Sequence, residues 1–359
     1  MSAPYPWLAA PWTRLVGAWR QSRLGHALLL HGRAGFGKRE FARSFARLLL
    51  CEAADGDRAC GDCRGCTLFD AGNHPDHALV APLEAGKALS IDQIRELGEY
   101  YALRPHYRDV KIATIEAADS MNRAAANALL KLLEEPPAGA VLLLLADRPA
   151  QLLPTIRSRC QRTALDQGEA ATILEWLAAE DPNAARPALL ERPALLERPA
   201  LLERPALLER LARAAGSPLL AQRLIEPELA GAIDGLVDAL GGVAAGTLSP
   251  LAAAARCASL PLDLLLDQWL RICHELLLLK AGAGLPLAEQ GRGLAPSLQR
   301  LADAVHSQAV GEFIQKAQDV KRLKLGPVTL REVDLAAWLW FDWHAGTVGT
   351  RSAGSEGRQ

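Results

Sequence analysis

The sequence predicts an α/β domain built on a parallel sheet with crossover helices, followed by an all-helical second half. Three observations carry this prediction. Short apolar runs, His26 to His31, Val110 to Ile115 and Val141 to Ala146, have the length and all-round hydrophobicity of strands buried on both faces. Segments with apolar residues at helical spacing alternate with them, as crossover connections require. A glycine loop, Gly32-Arg-Ala-Gly-Phe-Gly-Lys38, stands between the first run and the first helical segment.

The elements follow in order. After the loop, Phe41, Phe45, Leu48 and Leu49 make one apolar face of a helix over 38–50. Ser90-Ile-Asp-Gln93 reads as a capping box opening a helix to about Ala102. Asn122 can cap a helix that must stop at Pro136-Pro137, since proline supplies no N–H and clashes with the preceding turn. Pro154 opens a short helix ending near Arg159-Cys160, and a short edge strand follows. Residues 1–165 therefore form the α/β domain. Asp166 and Glu169 read as a second capping box that starts a small helical domain over 166–216. Inside it Arg-Pro-Ala-Leu-Leu-Glu occurs four times between Arg186 and Glu209, with Pro187, Pro193, Pro199 and Pro205 six residues apart. That spacing excludes one straight helix and predicts broken turns or mobile chain, a tolerated loop expansion. Residues 217–346 carry a Leu/Ala helical pattern in which Trp269, Trp338, Trp340 and Trp343 are packing residues. The Gly/Ser-rich 347–359 is expected to be disordered.

Composition narrows the function classes. The chain has 359 residues, half of them hydrophobic, enough for two or three domains. Its apolar runs fall far short of the ~20 residues that cross a bilayer, and no secretory pattern opens the sequence, so no membrane role is expected and its thiols are placed in a reducing cytoplasm. With 40 basic and 41 acidic residues, the net charge of −1 gives no general attraction for nucleic acid, so contact with it must be local or through partners.

Cys51, Cys60, Cys63 and Cys66 put four thiolates within sixteen residues, with Gly61 and Gly65 expected to allow the turns between them. A structural zinc ion held by four thiolates is the preferred reading, because all four positions are filled by protein. Disulfides are disfavoured in a reducing compartment, and the Cys-Pro ending common in iron–sulfur motifs is absent. His74 and His77 are near enough to substitute as ligands but are not needed. Cys160, Cys257 and Cys273 are scattered and read as small buried residues.

Gly32, Gly35, Gly37 and Lys38 form a phosphate-binding loop in the required place, after a strand and before a helix. Two parts of an ATPase site are missing. Arg39 stands where a Ser or Thr hydroxyl would hold magnesium, and the second acidic site reads Glu116-Ala117, with an acid for the metal but none to activate water. The loop is therefore read as an inherited shape, neither hydrolysing ATP nor relied on to bind it.

Taken together, these residues resemble the clamp-loader branch of the AAA+ ATPases, and within it the delta-prime type of bacterial DNA polymerase III. Carrying the resemblance are Tyr5-Pro-Trp-Leu, Gly25-His-Ala-Leu-Leu, the glycine loop, the four cysteines, Asn73-His-Pro-Asp76, Asn127-Ala-Leu-Leu-Lys-Leu-Leu-Glu-Glu-Pro-Pro137 and Ser158-Arg-Cys160. It covers most of the chain and weakens in the repeat and the C-terminal part. It implies an AAA+ module with an inserted zinc knuckle over 51–66, a helical lid over 166–216 and a helical collar over 217–346. The collar joins five subunits in a ring with gamma/tau and delta subunits, which loads a sliding clamp on primed DNA as part of a DNA-directed DNA polymerase, a nucleotidyltransferase complex. On the same alignment the catalytic Glu falls on Ala117, the residue sensing the terminal phosphate on Asp147, and the lid arginine on Leu219. Arg159 resembles the arginine finger that acts in a neighbouring subunit's ATP site. Lys131, Glu134 and Glu135 are read as a solvated helix face without chemistry.

The expectation is a subunit with no catalysis of its own. A gamma/tau-like subunit that hydrolyses ATP is the first alternative. The second, a zinc-dependent nucleic-acid-binding module, is weakened by Asp55, Asp57 and Asp62 facing Arg58 and Arg64 around the cysteines.

Overall fold

In the computed structural model, which describes residues 4–83, 87–181, 205–214, 216–282, 295–324 and 331–353, the chain divides into two compact units, Met1–Trp176 and Leu177–Gln359. The apolar runs of the first unit pair with one another in a wholly parallel sheet. Its strands are β1 (Ala27–His31), β2 (His77–Val80), β3 (Lys111–Ile115), β4 (Ala140–Ala146) and β5 (Gln161–Ala164), in the order β2-β3-β4-β1-β5. The expected edge strand is β5. The other edge, β2, escapes the sequence reading: its four residues begin with a histidine and leave Leu79 exposed, so no apolar run marks it.

Helix α1 (Ala9–Arg20) precedes β1, and the connections between strands carry α2 (Lys38–Leu50), α3 (Arg64–Asp70), α4 (Ile91–Ala102), α5 (Arg123–Glu134) and α6 (Pro154–Arg159). The Ser90–Gln93 capping box is complete, and Asn122 caps α5 through Ala125 N–H. Trp12 of α1 packs edge-on against Phe41 and Phe45, at 5.4 and 5.9 Å, so the expected apolar face of α2 is sealed by a helix the sequence reading lacked. Because the sheet is parallel and β1, β4 and β3 are neighbours, the segments that leave their C-terminal ends converge: the glycine loop after β1, Glu116 after β3 and Asp147 after β4.

The second unit is helical. Helix α7 (Ala170–Glu180) crosses the division. Beyond it come α8 (Pro205–Arg213), α9 (Pro218–Arg223), α10 (Pro227–Ala245), α11 (Pro250–Arg256), α12 (Leu262–Lys280), α13 (Ala295–Ala304), α14 (Ser307–Lys324) and α15 (Glu332–Ala353). Trp269, Phe313, Trp340 and Trp343 form its aromatic centre, with Trp269 and Trp340 at 4.5 Å, and the Trp343 indole N–H donates to Leu240 O. Trp338, expected in this packing, faces solvent instead.

Two local expectations are corrected. The capping box at Asp166–Glu169 does not form: α7 begins at Ala170, which puts Glu169 before its first residue, and Asp166 turns to the glycine loop. Residues 347–353, expected to be disordered, continue α15, anchored by buried Thr347, whose hydroxyl donates to Trp343 O; 354–359 lie outside the described residues. Of the hexapeptide repeat only the last copy is described. There Pro205 is the first residue of α8, where its missing N–H costs nothing; the earlier copies lie outside the described residues.

Candidate functional site

The cysteine cluster grows out of the end of α2. Cys51 is the C-cap residue of that helix, and Cys63 is the N-cap of α3, its sulfur accepting from Cys66 N–H. The four sulfur atoms lie within 4.8 Å of one another. Cys51 Sγ is 3.5 Å from Cys60 Sγ and 3.9 Å from Cys63 Sγ, close to the ~3.8 Å edge of a tetrahedron with ~2.3 Å zinc–sulfur bonds. Backbone N–H groups of Cys60, Cys63 and Cys66 point at the sulfurs of Cys51, Cys60 and Cys63, an arrangement suited to thiolate charge. The donor set thus fits a closed zinc site. Among the described residues no histidine joins it: His74 Nδ1 accepts from Asp76 N–H, and His77 meets the Thr114 hydroxyl. Gly61 takes the left-handed turn expected of it (φ 92°). Gly65 does not; it lies in α3, where a Cβ would come 2.7 Å from Leu50 O, so its value is close approach rather than turning. Cys160, Cys257 and Cys273 are buried as expected, and burial pushes their thiols up to about 11, 11 and 12.

The glycine loop has the backbone of a phosphate cradle. Gly32, Gly35 and Gly37 take positive φ values of 147°, 76° and 85°. Its cations, however, are already engaged. Lys38, 8% exposed, sends its ammonium to Gly32 O (2.7 Å), Arg33 O (2.8 Å) and Asp147 Oδ1 (2.5 Å), which uses all three of its donors. Arg39 pairs with Glu116 (2.7 Å), so the two positions that would share a magnesium ion hold a salt bridge instead. Asp166 accepts from Arg33 N–H at 3.1 Å, placing a third carboxylate on the loop. Ala117 follows Glu116 in a left-handed conformation (φ 49°) and presents only a methyl group where a water-activating acid would stand.

Aromatic side chains cover the same loop. Tyr5 and Trp7 stack at 4.8 Å, Trp176 meets both edge-on, and the Trp7 indole N–H donates to Phe36 O at 3.0 Å. A Cβ on Gly37 would come 2.5 Å from the Tyr5 ring, so glycine is required there for approach as well as for its φ. His31, at the mouth of the loop, has its pKa lowered: burial dominates, and Arg162 and Lys38 reinforce it against the opposing charge of Asp166.

Arg159 lies elsewhere, as the last residue of α6. One Nη donates to Thr155 O at 3.1 Å and the other reaches Glu134 Oε1 at 2.9 Å. Glu134, read from sequence as an idle surface residue, is therefore its partner. Leu219 sits in α9 of the second unit, where its side chain offers no charge to a phosphate.

A family model described as DNA polymerase III, delta subunit, matches residues 8–169. A DNA polymerase III subunit delta-prime from Pseudomonas aeruginosa is 40% identical over 271 residues, covering 74% of this chain and 75% of the relative. The chain belongs to the DNA polymerase III delta-prime family. The delta-prime subunits of Yersinia pestis and Escherichia coli are 36% and 38% identical over 224 and 176 residues. Those matches span 62% and 53% of the relatives' length, and 62% and 49% of this chain. The matched family model covers all four cysteines, the glycine loop, Glu116, Asp147, Asp166 and Arg159. Tyr5, Trp7, Trp176 and the helices from α7 onward lie outside it.

Proposed function

We propose that this chain is a non-hydrolysing subunit of the DNA polymerase III clamp loader. In this role it joins gamma/tau and delta subunits in a five-membered ring that places a sliding clamp on primed DNA. Residues 166–216 would be its lid, 217–346 its collar, and the cysteine cluster a structural zinc knuckle. The observation that carries the reading is the state of the loop cations. With Lys38 saturated by two carbonyls and Asp147, and Arg39 closed on Glu116, an incoming triphosphate meets no free charge and must displace two carboxylates of the chain itself.

In this reading the phosphate chemistry falls to Arg159. Its guanidinium, on the surface at the end of α6, is planar and permanently charged, and acts on the ATP of an adjoining subunit by stabilising charge that develops on the transferred phosphoryl group. The zinc ion supplies stability when bound and no chemical step. The test is reconstitution with the ATPase subunits. The purified chain alone should show no ATP turnover, while its addition should raise clamp- and DNA-dependent hydrolysis by the complex. Turnover by the chain alone would instead identify a gamma/tau-like ATPase, and indifference of the complex to its omission would remove it from the loader.

A further inference from the structure

Glu134 closes α5 and Arg159 closes α6, and each is set beside buried structure. Leu133 and Cys160, their chain neighbours, are buried in the same core as Leu129 and Ile156, which pack the two helices together. Pro136-Pro137 end α5 at a defined residue, so both side chains leave fixed backbone. The guanidinium then spans the gap, held at Thr155 O on one side and Glu134 Oε1 on the other. Arg159 is 37% exposed and Glu134 52%, and ion pairs this exposed add little to stability. Glu134 also has a closer candidate on its own helix, Lys131 one turn before, yet among the described residues Lys131 pairs with neither Glu134 nor Glu135. The pair therefore fixes direction: a long, rotamer-rich side chain is held in one orientation before any substrate arrives.

We propose that Glu134 is a positioning residue for Arg159. Its carboxylate keeps the guanidinium extended from the α5–α6 rim and gives it up to the terminal phosphate oxygens of a nucleotide on the adjoining subunit. Carboxylate and phosphate both present oxygen pairs that match the guanidinium fork, and the weakness of the exposed pair makes the exchange easy. This inference rests on Arg159 acting in trans.

The test uses the complete complex with its other ATPase sites disabled. Glu134→Gln, which keeps the shape and removes the charge, should lower kcat at the adjoining site about tenfold with KM for ATP unchanged. Sedimentation should show full assembly and thermal melting an unaltered fold. Glu134→Asp should recover part of the rate. In an Arg159→Ala background, Glu134→Gln should change nothing further, because the two act as one unit. A wild-type or raised kcat for Glu134→Gln, or losses that multiply in the double variant, would overturn the role of Glu134 while Arg159→Ala still shows the finger. If Arg159→Ala itself leaves kcat intact, the finger reading falls and this inference with it.

Discussion

The glycine loop and the α5–α6 rim both carry cations suited to phosphate, and they hold them in opposite ways. In the loop, Lys38 is buried and its three donors are spent, and Arg39 meets a carboxylate that is only 11% exposed. On the rim, Arg159 has a single carboxylate partner that solvent reaches freely. Depth separates them in part: each loop pair has one buried partner, Lys38 at 8% and Glu116 at 11% exposed against Asp147 at 51% and Arg39 at 72%, and opening it leaves that buried charge alone, whereas both members of the rim pair reach solvent and it opens for ~1 kcal/mol or less. In the proposed reading, the loop spends its cations on its own side chains, and the rim holds its cation ready for a ligand.

Removing the metal tests whether the knuckle belongs to the loop's side of this contrast. Cys51 ends the same helix that the glycine loop begins, so chelation or Cys60→Ser should destabilise the first unit by several kcal/mol, seen as a fall in Tm of ten degrees or more. Amide exchange should rise in α2 and α3 before α5 and α6; equal loss everywhere would erase the distinction. A smaller effect comes from Asp147→Asn, which leaves the Lys38 ammonium without its counterion. Because Asp147 is half-exposed, the expected cost is about 1–2 kcal/mol by denaturant titration, against ~0.5 kcal/mol or less for Glu134→Gln on the rim. Equal costs would break the comparison.

The smallest effect is a pH slope. The His31 pKa is lowered from 6.5, so the folded state resists a proton that the unfolded chain accepts. The stability His31 preserves is complete above about 6.5 and declines as pH falls below it. Replacing His31 with Gln should flatten that decline, measured by melting between pH 7.5 and 5.5; an unchanged slope would show that burial does not hold the His31 proton off in the folded state.

Much of this was legible in the sequence because burial on both faces leaves a mark. Strands β1, β3 and β4 are apolar throughout and read directly. Helix α1 could have been read too, since Trp12, Leu15, Val16 and Trp19 have helical spacing. Strand β2 could not, with an exposed leucine and a leading histidine in only four residues. At the site, the departures at Arg39 and Ala117 were visible as missing chemistry. What replaced it was not. The pairings Lys38–Asp147, Arg39–Glu116 and Glu134–Arg159 join residues 25 to 109 positions apart, and only the strand order brings them together. Asp166 was misread for a related reason: a carboxylate three residues before Glu169 satisfies a capping pattern, but its backbone lies against Gly32, and the loop N–H claims it.

The most direct test sets the two regions against each other in one assay, ATP hydrolysis by the assembled complex with its other sites disabled. Lys38→Met should leave kcat and KM at their wild-type values, because the proposed role requires no nucleotide at the loop. Arg159→Ala should lower kcat at the adjoining site on the order of 10³-fold. Loss of hydrolysis in Lys38→Met with Arg159→Ala unaffected would reverse the assignment of the two regions.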